Sequence, residues 1–183
     1  MNYEFRITFQ LINLSTYQLI MNYDMTITEI QDEIIEEFEE LDDWMDRYQL
    51  LIDTGSSQEP LDEKYKTDNN LIDGCQSRVW LHAEYTDGRI FFKAESDALI
   101  VKGIVALLIR VLSGQKPQDV LNADLYFIER IGLREHLSPT RSNGLVAMVK
   151  QMKIYAMAFG ELLEQRDPSS LLVWPSRDKS QRS

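Results

Sequence analysis

The stretch from Ala98 to Leu112 is the strongest constraint on how this chain can fold. Apolar residues lie nearly all round its helical projection, so it reads as a helix that must be enclosed by the rest of the molecule. Ser96 or Asp97 stands ready to cap it, and Ser113-Gly114 ends it. Its most apolar part, Gly103 to Leu112, is interrupted by Arg110 and is too short to span a bilayer. The segment just before it reads as a β-hairpin. Val79-Trp80-Leu81 and Ile90-Phe91-Phe92 are β-prone, and Thr86-Asp87-Gly88 between them carries the Asp-Gly turn signal. A hairpin feeding a buried helix leaves one economical architecture: an α+β domain, with a small antiparallel sheet of about three strands packed on helices.

The remaining elements supply the cover. Ile27, Ile30, Ile34, Phe38, Leu41 and Met45 recur at helical spacing and predict one amphipathic helix. Its other face is acidic, and Thr26 or Thr28 can cap its start. Arg47 to Asp53 suggests another helical turn, broken at Gly55-Ser56-Ser57, and Pro60 to Asn70 reads as loop. Lys116-Pro117 opens a short helix, and Asp124 is a candidate cap for another that ends at Gly132. Leu137 to Gly144 has the composition of a loop. A long helix from about Leu145 to Leu163 puts Leu145, Met148, Met152, Tyr155, Phe159 and Leu162 on its buried face.

Charge and length narrow the function classes. The chain has 183 residues, a formal net charge of -11, 44% apolar residues and one cysteine. This fits one domain and excludes wholesale disorder. Residues 1–88 carry 20 acidic and 5 basic side chains, and residues 89–183 carry 10 and 14. That balance argues against nucleic acid and against an anionic membrane surface. It permits docking to a basic partner, but the plainer and favoured reading is a solvated acidic helix face. A lone cysteine rules out an internal disulfide and any metal site built on several cysteines of this chain. A reducing, cytoplasmic setting follows. Residues 1–24 make a poor signal peptide and read as an N-terminal appendage, disordered or loosely docked, as translation from an upstream start codon would add. Residues 25–166 form the domain proper, and 167–183 a polar tail.

One short stretch departs from scaffold. Cys75 sits in Asp73-Gly74-Cys75-Gln76-Ser77-Arg78, a polar loop directly before a strand. Gly74 gives the backbone room, and a thiol presented there is a nucleophile once deprotonated. The plainer alternative is a cysteine packed under its loop. Candidate cations to activate it are Arg78, Lys64, Lys66, His82, Arg134, His136 and Arg141. A Cys–His hydrolase would need His82 or His136 beside Cys75. No phosphate loop, His/Glu metal spacing or nucleophile elbow is present.

Four stretches carry a resemblance: Trp44-Met45-Asp46-Arg47-Tyr48, Ile72 to Trp80, Ser96 to Gly103 and Leu137 to Leu145. In order and spacing they resemble the SufE family of cysteine desulfuration proteins, from Ile27 to about Phe159. The resemblance implies an IscU-like fold and a sulfur carrier. A pyridoxal-phosphate (PLP) cysteine desulfurase of the SufS type holds sulfur as a persulfide. Cys75 would accept that sulfur, stimulate the desulfurase and deliver sulfur to a cluster scaffold of the SufBCD type. PLP belongs to the partner, so no cofactor and no metal is expected on this chain. The resemblance also implies that Arg141 lies near Cys75 as a thiolate or persulfide stabiliser. The alternative is that Arg141 and Asp73 only pin the loop. Asp73, Gly74, Gln76, Ser77 and Asp97 would shape loop and cleft, with Asp97 and Lys102 at the start of the central helix. Shielding of the loop before partner binding and a homodimer are further implications. The competing reading is an assembly scaffold or interaction protein without persulfide transfer.

Overall fold

The apolar helix is enclosed as its composition demands. The computed structural model describes residues 25–164 and the pair Leu172–Val173. In it, helix α3 (Leu99–Leu112) buries ten of its 14 residues, against helices α1 (Ile27–Glu39), α2 (Trp44–Ser56) and α7 (Pro139–Glu164) and strand β2 (Arg89–Ser96). The one charged residue of its middle and end, Arg110, is largely desolvated, and the carboxylates of α1 compensate its charge. Its guanidinium donates to both carboxylate oxygens of Glu37 at 2.7 Å and to Glu33 at 3.3 Å. Part of the acidic face is therefore an ion-pair partner of the central helix and not solvation alone.

The predicted single helix through Met45 is two helices. Helix α1 (Ile27–Glu39) starts at a complete capping box, in which Thr26 accepts from the Glu29 N–H and Glu29 accepts from the Thr26 N–H. It buries Ile30, Ile34 and Phe38. The chain then breaks, because the Asp43 carboxylate accepts from the Met45 N–H and caps a second helix, α2 (Trp44–Ser56). Met45, expected on the buried face, is 70% exposed. Gly55 is the penultimate residue of α2, and it serves contact as well as termination. A Cβ on Gly55 would lie 2.7 Å from the Gly103 nitrogen of α3, and one on Gly103 would collide with the Leu51 carbonyl. The two helices cross backbone against backbone.

The hairpin follows the sequence closely. Strands β1 (Val79–Thr86) and β2 (Arg89–Ser96) pair antiparallel from Val79↔Ser96 to Thr86↔Arg89. Asp87 and Gly88 both have positive φ, 51° and 82°, as a two-residue I′ turn needs. A two-residue strand, β3 (Leu172–Val173), adds to the other edge of β1, giving the order β2-β1-β3. Helices α4 (Pro117–Asn122), α5 (Phe127–Arg130) and α6 (Leu133–His136) follow α3. Asp124 does not cap α5; the position before that helix is Tyr126, without a side-chain cap. Helix α7 runs over Pro139–Glu164 and starts six residues before the predicted Leu145. Its Leu145, Met148, Met152, Tyr155 and Phe159 are buried as expected. The sequence-based readings of residues 1–24 and of most of 167–183 lie outside the described residues. Among the described residues no helix is long and apolar enough to cross a membrane.

Candidate functional site

Cys75 lies in the middle of a loop, residues 73–77, whose two ends are tied to the strands and to Asp97. Before it, the Ile72 N–H donates to the Val79 carbonyl at 2.8 Å, and Leu71 bridges to Trp80. After it, Arg78 is clipped to Asp97. The Arg78 N–H and Nε each donate to the Asp97 carboxylate at 3.0 Å, and the Asp97 N–H returns to the Arg78 carbonyl at 3.3 Å. The Arg78 guanidinium also lies over the Trp80 ring, 5.3 Å from its centroid. Asp97 therefore anchors the loop; it neither caps α3 nor lines the cleft. Gly74, at φ 92°, takes a conformation that a side chain would strain.

The thiol is the loop's own attachment. Cys75 Sγ donates to the Gly144 carbonyl at 3.6 Å, a weak sulfur hydrogen bond onto the second turn of α7. Gly144 faces the thiol: a Cβ there would meet Sγ at ordinary contact distance, 3.5 Å, and Cys75 Cβ at 3.9 Å. Loop and helix together enclose a cleft of about 270 Å³. Cys75, Gln76 and Ser77 line it from the loop, and Val101 from α3. Ser138, Thr140, Arg141, Gly144 and Met148 form the wall at the start of α7. Cys75 is half-buried, and this burial pushes its thiol above the ordinary range. At neutral pH it is a protonated donor to Gly144.

Among the candidate cations only Arg141 lines this cleft. It projects from the first turn of α7, is exposed, and makes no hydrogen bond or ion pair with the described residues. Asp73 is exposed and is likewise without such a partner among the described residues. The pinning of the loop thus falls to Asp97 and Arg78, not to Arg141 and Asp73. Lys64 pairs with Asp62, Lys66 with Glu63, Arg134 with Glu129, and Lys102 with Glu95 at 2.6 Å. His82 is buried against Tyr65, ring centroids 3.7 Å apart, with Nε2 3.1 Å from Glu84. His136 ends α6, not a loop, and stacks on Trp44 at 3.6 Å. Neither histidine lines the cleft, so no Cys–His pair is assembled there. Among the described residues no three His, Cys, Asp or Glu side chains gather as a metal site.

Sequence reasoning singled out Cys75 and the Arg141 segment but missed Gly144 as the residue on which the thiol rests. The available signal was a glycine just before a helical pattern, which read as a turn. Val101, Ser138, Thr140 and Met148 were also not picked out as lining residues.

Comparison with known proteins places the chain in a family. Residues 32–156 match the family model described as "SufE: Fe-S metabolism associated domain". An uncharacterized SufE-like protein of Rhizobium meliloti is 39% identical over 127 residues, 67% of this chain and 91% of that one. A SufE-like protein of Synechocystis is 39% identical over 126 residues, 69% of this chain and 79% of the relative. The chloroplastic/mitochondrial SufE-like protein 1 of Arabidopsis thaliana is 35% identical over 139 residues, 75% of this chain but 37% of its own longer one. In fold, the chain resembles the solution structure of a hypothetical protein from Thermus thermophilus, with a TM-score of 0.60 at 24% identity, over 70% of this chain and 94% of that one. The family model covers more than half of the chain, and the relatives agree with it: the chain belongs to the SufE family, which acts in iron–sulfur metabolism.

Proposed function

We propose that this chain is a sulfur acceptor and carrier with Cys75 as its working atom. The observation that supports this most is a lone thiol, half-buried on the Gly144 carbonyl, in a cleft open to few side chains. The donor is the cysteine persulfide of a PLP-dependent desulfurase of the SufS type. The Cys75 thiolate attacks the terminal sulfur, a new S–S bond forms on Cys75, and the S–S bond of the donor breaks. The donor cysteine leaves as a thiolate, and the sulfane sulfur moves with no net oxidation or reduction. Delivery to a SufBCD-type scaffold repeats the exchange with the roles reversed. We place the reaction in the cytoplasm, where thiols stay reduced.

The raised Cys75 thiol makes the free protein a poor nucleophile, since the thiolate attacks. In this proposal partner docking draws the loop out of its cleft, and Arg141, the cation of the cleft wall, meets the anionic sulfur. Removing the acid-raising burial and adding the guanidinium both act in the same direction.

The test is incubation with a cognate desulfurase and cysteine, followed by intact-mass measurement. Expected is a reductant-sensitive gain of one or more sulfur atoms and faster desulfurase turnover, both absent in Cys75→Ser. Arg141→Ala should load at least about tenfold more slowly while melting with the wild type, as removal of a charged hydrogen-bond partner costs about 1.5–3 kcal/mol. No mass gain with a competent desulfurase sinks the proposal and favours an assembly protein without persulfide transfer.

A further inference from the structure

The cysteine cleft differs in charge from the molecule around it. The chain carries a formal net charge of -11, yet among the described residues no carboxylate lines the cleft. Its one charged lining group is Arg141, which is exposed and makes no ion pair with the described residues. Asp73, two residues from Cys75, does not line it, and Asp97 is neutralised by Arg78 at 3.0 Å. A free guanidinium beside a thiol, in an otherwise acidic protein, is a place for an anion.

The remaining polar walls suit oxygen atoms. Gln76, Ser77, Ser138 and Thr140 bring an amide and three hydroxyls to the cleft. The Ser138 and Thr140 hydroxyls lie 3.1 Å apart, so one donates to the other and the second keeps its proton for an acceptor. Thr140 and Arg141 stand in the first turn of α7, where the helix dipole adds to the positive potential. At about 270 Å³ the cleft lies below the roughly 300–1,000 Å³ of pockets for larger ligands, which favours an ion of a few atoms. Cys75 is half-buried in the same cleft, so an ion held there meets the sulfur.

We infer that this cleft admits a small oxyanion carrying a sulfane sulfur, of the thiosulfate type, which loads Cys75 without a desulfurase. This loading rests on the reading of Cys75 as a persulfide carrier and adds a second class of donor to it. Arg141 and the hydroxyls hold the oxygens, and the sulfane sulfur faces Sγ. The thiol releases its proton to solvent, and the thiolate attacks the sulfane sulfur. An S–S bond forms on Cys75, the S–S bond of thiosulfate breaks, and sulfite leaves with the electron pair. No external oxidant or reductant is consumed. Arg141 offsets the repulsion between thiolate and dianion.

The full chain is incubated with thiosulfate near pH 8.5 with no desulfurase present, and intact mass and sulfite are followed. Expected is a gain of one sulfur atom per chain, matched by one sulfite, reversed by dithiothreitol and absent in Cys75→Ser. Arg141→Ala should load at least about tenfold more slowly, with Arg141→Lys between the two. Alkylation supplies a readout that a merely structural role of Arg141 would not move. The ratio of the Cys75 rate with anionic iodoacetate to that with neutral iodoacetamide should fall at least about threefold in Arg141→Ala. An unchanged ratio, or equal thiosulfate loading in Arg141→Ala, overturns the inference. A desulfurase with cysteine, run on the same preparation, separates the two readings. No gain from thiosulfate where the desulfurase loads Cys75 overturns this inference alone, and no gain from either removes both.

Discussion

Two glycines in two helices do opposite things with the same missing side chain. At Gly103 in α3 the space is filled by the backbone of α2, so that a Cβ would strike the Leu51 carbonyl. At Gly144 in α7 the space borders a thiol but is open, and a Cβ would meet Sγ at ordinary contact distance, 3.5 Å. The first glycine fixes the relation of two helices. The second holds a place beside a reactive atom. Close approach in the core sets the fold, and close approach at the loop sets what the sulfur can do.

The sharpest way to break this comparison is Gly103→Ala. No flexible side chain can yield there, so the helices must part, at a cost of more than about 3 kcal/mol. A melting point lower by about 6–12 °C is expected in thermal unfolding. Gly144→Ala should behave oppositely. The helix gains up to about 1 kcal/mol in propensity, so the protein melts at or slightly above the wild-type temperature. The added methyl takes room next to Sγ, and alkylation of Cys75 by iodoacetamide should slow severalfold. If both variants lost stability equally, the distinction would fail.

pH separates the two regions further. Burial raises the Cys75 thiol, so the folded state keeps its proton at pH values where the unfolded chain loses it. That contribution is fully present below the unfolded value of about 8.5 and is lost as pH rises from there toward the folded value. Wild type should therefore lose stability above about pH 8.5 relative to Cys75→Ser, and its alkylation midpoint should lie above that of a free thiol. The smallest effect concerns the clip. Asp97→Ala removes an exposed ion pair and the carboxylate that accepts from the Arg78 N–H, for about 0.5–1.5 kcal/mol in denaturant unfolding.

How much was legible in the sequence follows the reach of each interaction. The hairpin and the enclosure of residues 99–112 depend on neighbours a few positions away or on overall apolarity, and both read correctly; the cap of α1 was narrowed to Thr26 or Thr28, and the structure selects Thr26. The break at residues 40–43 did not, because the apolar spacing runs on through Leu41 and Met45 while the Asp43 cap overrules it. The start of α7 was also misplaced. Ser138-Pro139-Thr140-Arg141-Ser142-Asn143-Gly144 has turn composition, yet Leu137 and Leu145 are buried on either side of it and packing carries the helix through. In the site, Cys75 stood out because a thiol in a polar loop is unusual. Gly144 became visible only once the fold had brought positions 75 and 144 together.

Arg110 gives the central helix something its apolar residues cannot supply. Gly103 against the α2 backbone fixes one face of this helix. One guanidinium gripping Glu37 and Glu33 fixes its angle a second time, from the α1 side. Val101 owes its place in the wall of the cysteine cleft to that same setting, two and a half turns along the helix. The charge acts as an index mark on a dial, read at the far end by the sulfur.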